Sequence, residues 1–98
     1  MNKEEAKDVL NNRLKSLESI SYKDLTDWIA CKKVEVYEDE GKSGAKYQIE
    51  IEAFYDDQTK EVIRVLASID DGGLLSAFRP ITSDFLKFKD GRVEAFPV

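Results

Sequence analysis

The run Tyr47-Gln48-Ile49-Glu50-Ile51-Glu52-Ala53-Phe54 sets Tyr47, Ile49, Ile51 and Ala53 on one side and Gln48, Glu50 and Glu52 on the other. A side-chain period of two is that of a β-strand with one dry and one wet face. A chain that carries such a strand must also supply strands to pair with it and a layer to cover its dry face. The run constrains architecture and points to no chemistry.

The rest of the chain supplies both. Ala6, Val9, Leu10, Leu14 and Leu17, with Ile20 just beyond, recur in steps of three and four. They predict an amphipathic helix from 3 to about 19, with Glu4, Glu5, Lys7, Asp8, Asn12 and Lys15 outward. Ser21 followed three residues later by Asp24, with Ile20 and Leu25 as a hydrophobic staple, predicts a second helix from 22 to about 30. Residues 33–38 alternate and form the first strand, and the polar, glycine-containing stretch 39–46 reads as a mobile hairpin loop.

Strands follow over 47–55 and 62–69, then a tight turn at Asp70-Asp71-Gly72-Gly73 and a strand over 74–79 that ends at Pro80. A strand over 84–88, an Asp90-Gly91 hairpin and a last short strand over 93–96 complete the chain. In 62–69, Ile63, Val65, Ala67 and Ile69 share one side and Val62 and Leu66 the other, so this strand is expected to be covered on both faces. Helices followed by strands in hairpin order predict a single α+β domain over residues 1–98. In it the N-terminal helix and a short second helix pack on a twisted antiparallel meander of four to six strands, cystatin-like or NTF2-like in plan.

Composition narrows the function classes. The net charge of −5 repels phosphate backbones and anionic lipid headgroups, so neither nucleic acid nor membrane is expected as a partner. The chain has no histidine, which removes the commonest general base and metal ligand. Cys31 is the sole cysteine, so no internal disulfide forms, and it is expected to be a small buried hydrophobe. No secretion-signal pattern and no long apolar run stands in the sequence, and a reduced cytoplasmic setting is expected. No cofactor is implied.

Four groups could bind something. Asp70 and Asp71 beside two glycines, with Asp84 folding near, could approach a divalent cation; the simpler reading is turn chemistry. Arg79 at a strand end could clamp an anion, or instead pair with Asp84 or Asp70 to fasten two loops. Glu50, Glu52, Glu35 and Arg64 would share the solvent face of the sheet, either as a cross-strand charge network or as an acidic docking surface. Tyr22, Trp28, Tyr37, Tyr47, Phe54 and Tyr55 read as core, or as the lining of a pocket between helix and sheet.

The segment from Tyr47 to Gly91 resembles a family of small bacterial proteins without an established activity. The residues that carry the resemblance are Tyr47-Gln48-Ile49-Glu50-Ile51, Arg64-Val65 and Ser68-Ile69-Asp70-Asp71-Gly72-Gly73. It continues through Ala77-Phe78-Arg79-Pro80-Ile81-Thr82, Asp84-Phe85 and Asp90-Gly91, and departs at Leu74 and Leu75, where the family carries an aromatic. The resemblance implies a bacterial, cytosolic, non-enzymatic protein and assigns no catalytic residue or ligand.

The first reading is therefore a non-catalytic interaction module, contacting a protein partner through the acidic sheet face (Glu50, Glu52, Arg64) or the loop cluster (Asp70, Asp71, Arg79, Asp84), or a second copy of itself through an edge strand. A pocket protein or weak enzyme is the alternative, with Asp70 or Asp84 as acid or base and Arg79 as anion clamp. An acidic inhibitor- or antitoxin-like protein steered onto a basic target is the third.

Overall fold

The computed structural model describes residues 2–71 and 81–96. Two helices, α1 (Lys3–Leu17) and α2 (Tyr22–Ala30), precede five strands: β1 (Val34–Glu40), β2 (Lys46–Tyr55), β3 (Val62–Asp70), β4 (Ile81–Phe88) and β5 (Val93–Phe96). All neighbouring strands pair antiparallel in the order β1-β2-β3-β4-β5, an open meander with β1 and β5 at its edges. Both helices lie on one face, so the architecture is the expected two-layer α+β. The expected Gly72-Gly73 turn and the strand over 74–79 lie outside the described residues.

α1 begins where the Asn2 side chain accepts the Glu5 amide, and Glu4 and Glu5 face the positive helix end. Its stripe Ala6, Leu10, Leu14 and Leu17 is buried against Ile63, Val65, Ala67 and Ile69 of β3 and Phe85 of β4. Each fully buried leucine contributes about 2 kcal/mol relative to an exposed one. At the far end of α1, the buried Lys87 of β4 donates from Nζ to the carbonyl of the C-cap residue Glu18 at 2.9 Å. A cation thus meets the negative helix terminus.

α2 starts at the Ser21 cap, whose hydroxyl accepts the Asp24 amide at 3.0 Å. It ends in a Schellman arrangement: the Lys33 amide donates to the Trp28 carbonyl and the Lys32 amide to that of Ile29. Lys32 takes the left-handed conformation, φ 52°, that glycine usually supplies there. Leu25 and Trp28 turn inward over β2. Cys31 is the C-cap and is exposed, contrary to the expected burial, because the helical face it would share is already left behind at the turn.

β3 alternates strictly: Ile63, Val65, Ala67 and Ile69 are buried under α1, and Val62, Arg64, Leu66, Ser68 and Asp70 are half-buried on the other face. The outer face is therefore partly screened by neighbouring side chains and is not a second core.

Two expectations are corrected in and beside β1. The first concerns the loop. β1 runs to Glu40 and β2 starts at Lys46, so the connection is shorter than 39–46, and it is tied to α1. The Glu5 carboxylate accepts the Ser43 amide at 2.9 Å, the Ser43 hydroxyl at 2.8 Å and the buried Tyr47 hydroxyl at 2.7 Å. The second concerns the face. Glu35 pairs across from Ile51, and Tyr37 from Ile49, so Glu35 looks toward the helices and Val34 and Val36 look out. A one-residue change of register reverses every side chain of a strand, and here Arg13 of α1 settles the choice. Its guanidinium takes both oxygens of Asp39, at 2.8 and 2.5 Å, and lies 4.2 Å over the Tyr37 ring.

Candidate interaction surface

The face of the sheet away from the helices is assembled from alternate residues of each strand. One cross-strand row is Val36, Glu50, Ser68 and Thr82; the next is Val34, Glu52, Leu66 and Asp84; a third is Phe54, Arg64, Leu86 and Glu94. Val34 is 55% exposed, Val36 54% and Phe54 39%, and these are the exposed large hydrophobics among the described residues. All three stand on β1 and β2 of this one face. Glu50 and Glu52 lie between them, exposed and with no ion-pair partner among the described residues. A small hollow of about 100 Å³ lies between Val34, Glu50, Glu52, Leu66 and Ser68.

Arg64 occupies the middle of the sheet. Its Nε donates to Asp56 Oδ1 at 2.8 Å and its Nη1 to Asp84 Oδ2. The sequence reading set Arg64 among Glu35, Glu50 and Glu52; the structure gives it Asp56 and Asp84 instead, since the arginine reaches across to β4 and along to the end of β2. Such a two-sided, half-buried clamp holds β2, β3 and β4 together by more than an exposed pair would.

The other expected cluster does not converge. Asp70 ends β3 and Asp71 follows it, whereas Asp84 stands opposite Leu66. Four residues of strand, about 13 Å, separate Asp70 from the level of Asp84. Asp84 thus cannot join Asp70 and Asp71 around one ion, and among the described residues no three potential ligands gather to hold a metal. Arg79 lies outside the described residues.

The opposite side of β1 carries features that the strand pattern did not disclose. α1 packs on β3 and β4 and α2 on β2, so the inward side of β1 remains half-covered. A groove of about 410 Å³ runs there between α2 and β1, with Trp28, Tyr37 and Ile20 as apolar walls and Asp24, Asp27 and Glu35 as carboxylates. A second, of about 270 Å³, continues beside Arg13, Asp39 and Glu40. The chain's own cations already sit on this lining. The Lys33 ammonium is 2.5 Å from Glu35 and 5.0 Å from the centre of the Trp28 ring, and Arg13 covers Tyr37. Lys33 and then the Tyr37 hydroxyl hold the Glu35 carboxyl below the usual carboxylate range. The same hydroxyl bond, with burial, pushes the Tyr37 phenol up. The spacing Glu35, Tyr37, Asp39 was the available signal, masked by the greater apolarity of Val34 and Val36.

Of the six aromatics considered as lining, Trp28 and Tyr47 are core, Tyr37 lines the groove, and Phe54 is on the open face. Tyr22 pins the β2–β3 turn by donating its hydroxyl to the Lys60 carbonyl.

The class these features define is a two-layer α+β protein with an open, acidic-and-apolar sheet face and a groove along one sheet edge. Comparison with protein families, with curated proteins and with solved structures gives no match, and the cystatin-like and NTF2-like plans stand as analogies of layout.

Proposed function

We propose that this protein is a non-catalytic interaction module whose open sheet face receives a basic protein partner. The observation that carries this reading is the grouping of Val34, Val36 and Phe54 with Glu50 and Glu52 on one uncovered face. Apolar side chains supply burial on contact, and exposed carboxylates without internal cations select a partner bearing lysine or arginine. An acidic inhibitor of a basic target would use the same face.

The enzymatic alternative finds less support. A general acid in a pocket needs a carboxyl whose pKa is raised. Glu5, Glu35 and Asp57 are shifted the other way, downward, by hydrogen bonds or a cation. Asp84, one of the two acids considered for that role, is engaged by Arg64.

The test is quantitative affinity capture with the wild type and with a Glu50→Lys/Glu52→Lys variant, each at low and high salt. One stoichiometric companion, released by salt and by charge reversal, supports the reading. A companion that the variant retains equally at both salt concentrations removes the acidic face from the account.

A further inference from the structure

Three features meet at β1. It is an edge strand of seven residues, against four for the opposite edge, β5. Its outward side presents Val34 and Val36, each more than half exposed. Its inward side borders two grooves, lined by Trp28, Tyr37, Asp24, Asp27, Glu35 and Asp39. One occupant explains all three.

We propose that β1 accepts an extended segment of a partner chain as an additional strand, with basic side chains entering the grooves and apolar ones covering Val34 and Val36. This rests on the reading of the chain as an interaction module and names both the element and the kind of segment it takes. An edge strand offers a row of backbone donors and acceptors, and alternate side chains of an added strand fall on opposite faces of the sheet. On the groove side the local chemistry favours cations: Lys33 over Trp28 and against Glu35, and Arg13 over Tyr37 and against Asp39, show how ammonium and guanidinium groups seat on it. Asp24, which lines the larger groove, has no ion-pair partner among the described residues. On the other side, an apolar partner residue removes the two valines from water.

A second copy of this chain fits the edge poorly. The β1 sequence carries Glu35, Glu38, Asp39 and Glu40, and the antiparallel self-pairing that joins all seven residues sets Glu35 against Asp39. Like charges directly opposite one another destabilise a strand pair.

The probe is a synthetic peptide of about eight residues alternating lysine with valine, long enough to span β1. Two controls accompany it: the same peptide N-methylated at alternate amides, and one of identical composition with lysines and valines in separate blocks. Amide hydrogen exchange of the whole chain is the readout. We expect the alternating peptide to slow exchange at the β1 amides about tenfold or more, and the two controls to leave them unchanged. The Val34→Thr/Val36→Thr variant keeps β-branched residues and should bind the peptide roughly fivefold more weakly. Unchanged β1 exchange at saturating peptide overturns the proposal, as does equal binding of the N-methylated control. A dimer in the chain alone that protects the same amides assigns the edge to a second copy and also overturns it. If the peptide fails at β1 while Glu50→Lys/Glu52→Lys still releases the captured companion, the strand-addition idea falls and the interaction-module reading stands.

Discussion

Glu5 joins the first turn of α1 to the β1–β2 loop, and its neighbours give predictions of opposite sign in pH. The Tyr47 bond, then the two from Ser43, hold its pKa below the ordinary 4.5. A folded value below the unfolded one contributes stability that is present above about pH 4.5 and lost as the pH falls through the folded value. Glu5→Gln should therefore lower stability at neutral pH, and the gap from the wild type should close on acidification in urea unfolding. A gap constant with pH would assign the effect to shape. Tyr47 behaves conversely: burial first, and then Glu5, push its phenol up to about 12. Its contribution is whole below about pH 10 and is lost as the pH rises toward the folded value. Gly41 belongs to the same cluster, for a Cβ there would stand 2.4 Å from Glu5 Cδ. Glu5 cannot swing aside without releasing its partners, so Gly41→Ala should destabilise the wild type and cost less in a Glu5→Ala background. A coupling of about 1 kcal/mol in that double-mutant cycle is expected. None of this was legible in the sequence, where Glu5 reads as an outward acid. Its partners Ser43 and Tyr47 lie 38 and 42 residues away.

At the scale of elements, local signals carried far. The start of α2 follows from Ser21, Asp24 and the staple, and the β4–β5 hairpin from Asp90-Gly91, because caps and turns are decided within a few residues. The left-handed Lys32 that closes α2 supplies a test. Lys32→Gly should raise stability by about 0.5–1 kcal/mol, read as a higher urea midpoint with an unchanged slope. A loss instead would show that the Lys32 side chain contributes more than its backbone costs. The facing of β1 was not legible. Its Val34-Glu35-Val36 pattern suggests valines inward, but a strand at the margin of the helical layer has little core to fill. Long-range contacts of Arg13 with Asp39 and Tyr37 decide there, together with the local pair of Lys33 and Glu35. Arg13→Lys keeps the charge and loses both the two-pronged bond and the ring contact, so it should lower stability by about 1 kcal/mol. Arg13→Lys with wild-type stability would mean that β1 is seated by backbone pairing alone.

For the whole molecule, the proposed function assigns stability and recognition to opposite faces of one sheet. Leu10→Ala, in the filled layer under α1, should cost about 3 kcal/mol in chemical denaturation. Glu50→Gln and Glu52→Gln, on the exposed face, should stay within about 0.5 kcal/mol of wild type. If the two glutamates proved as costly as the leucine, the open face would be a structural layer and not a contact surface. The two-layer plan was legible because periods of 3.6 and 2 recur along the chain. The grouping at Asp70, Asp71 and Asp84 was not, since nearness in sequence says nothing about level in a sheet. Asp84 belongs with Arg64 through the β3–β4 register.

Trp28 is the single tryptophan and Cys31 the single cysteine, and both line the groove between α2 and β1. The protein is thus fitted with its own optical gauge at that place. Indole emission responds to whatever displaces Lys33 from the ring, and a dye on the exposed thiol becomes an energy acceptor within a helical turn of the donor. Occupancy of the groove can be read as light without altering any other residue.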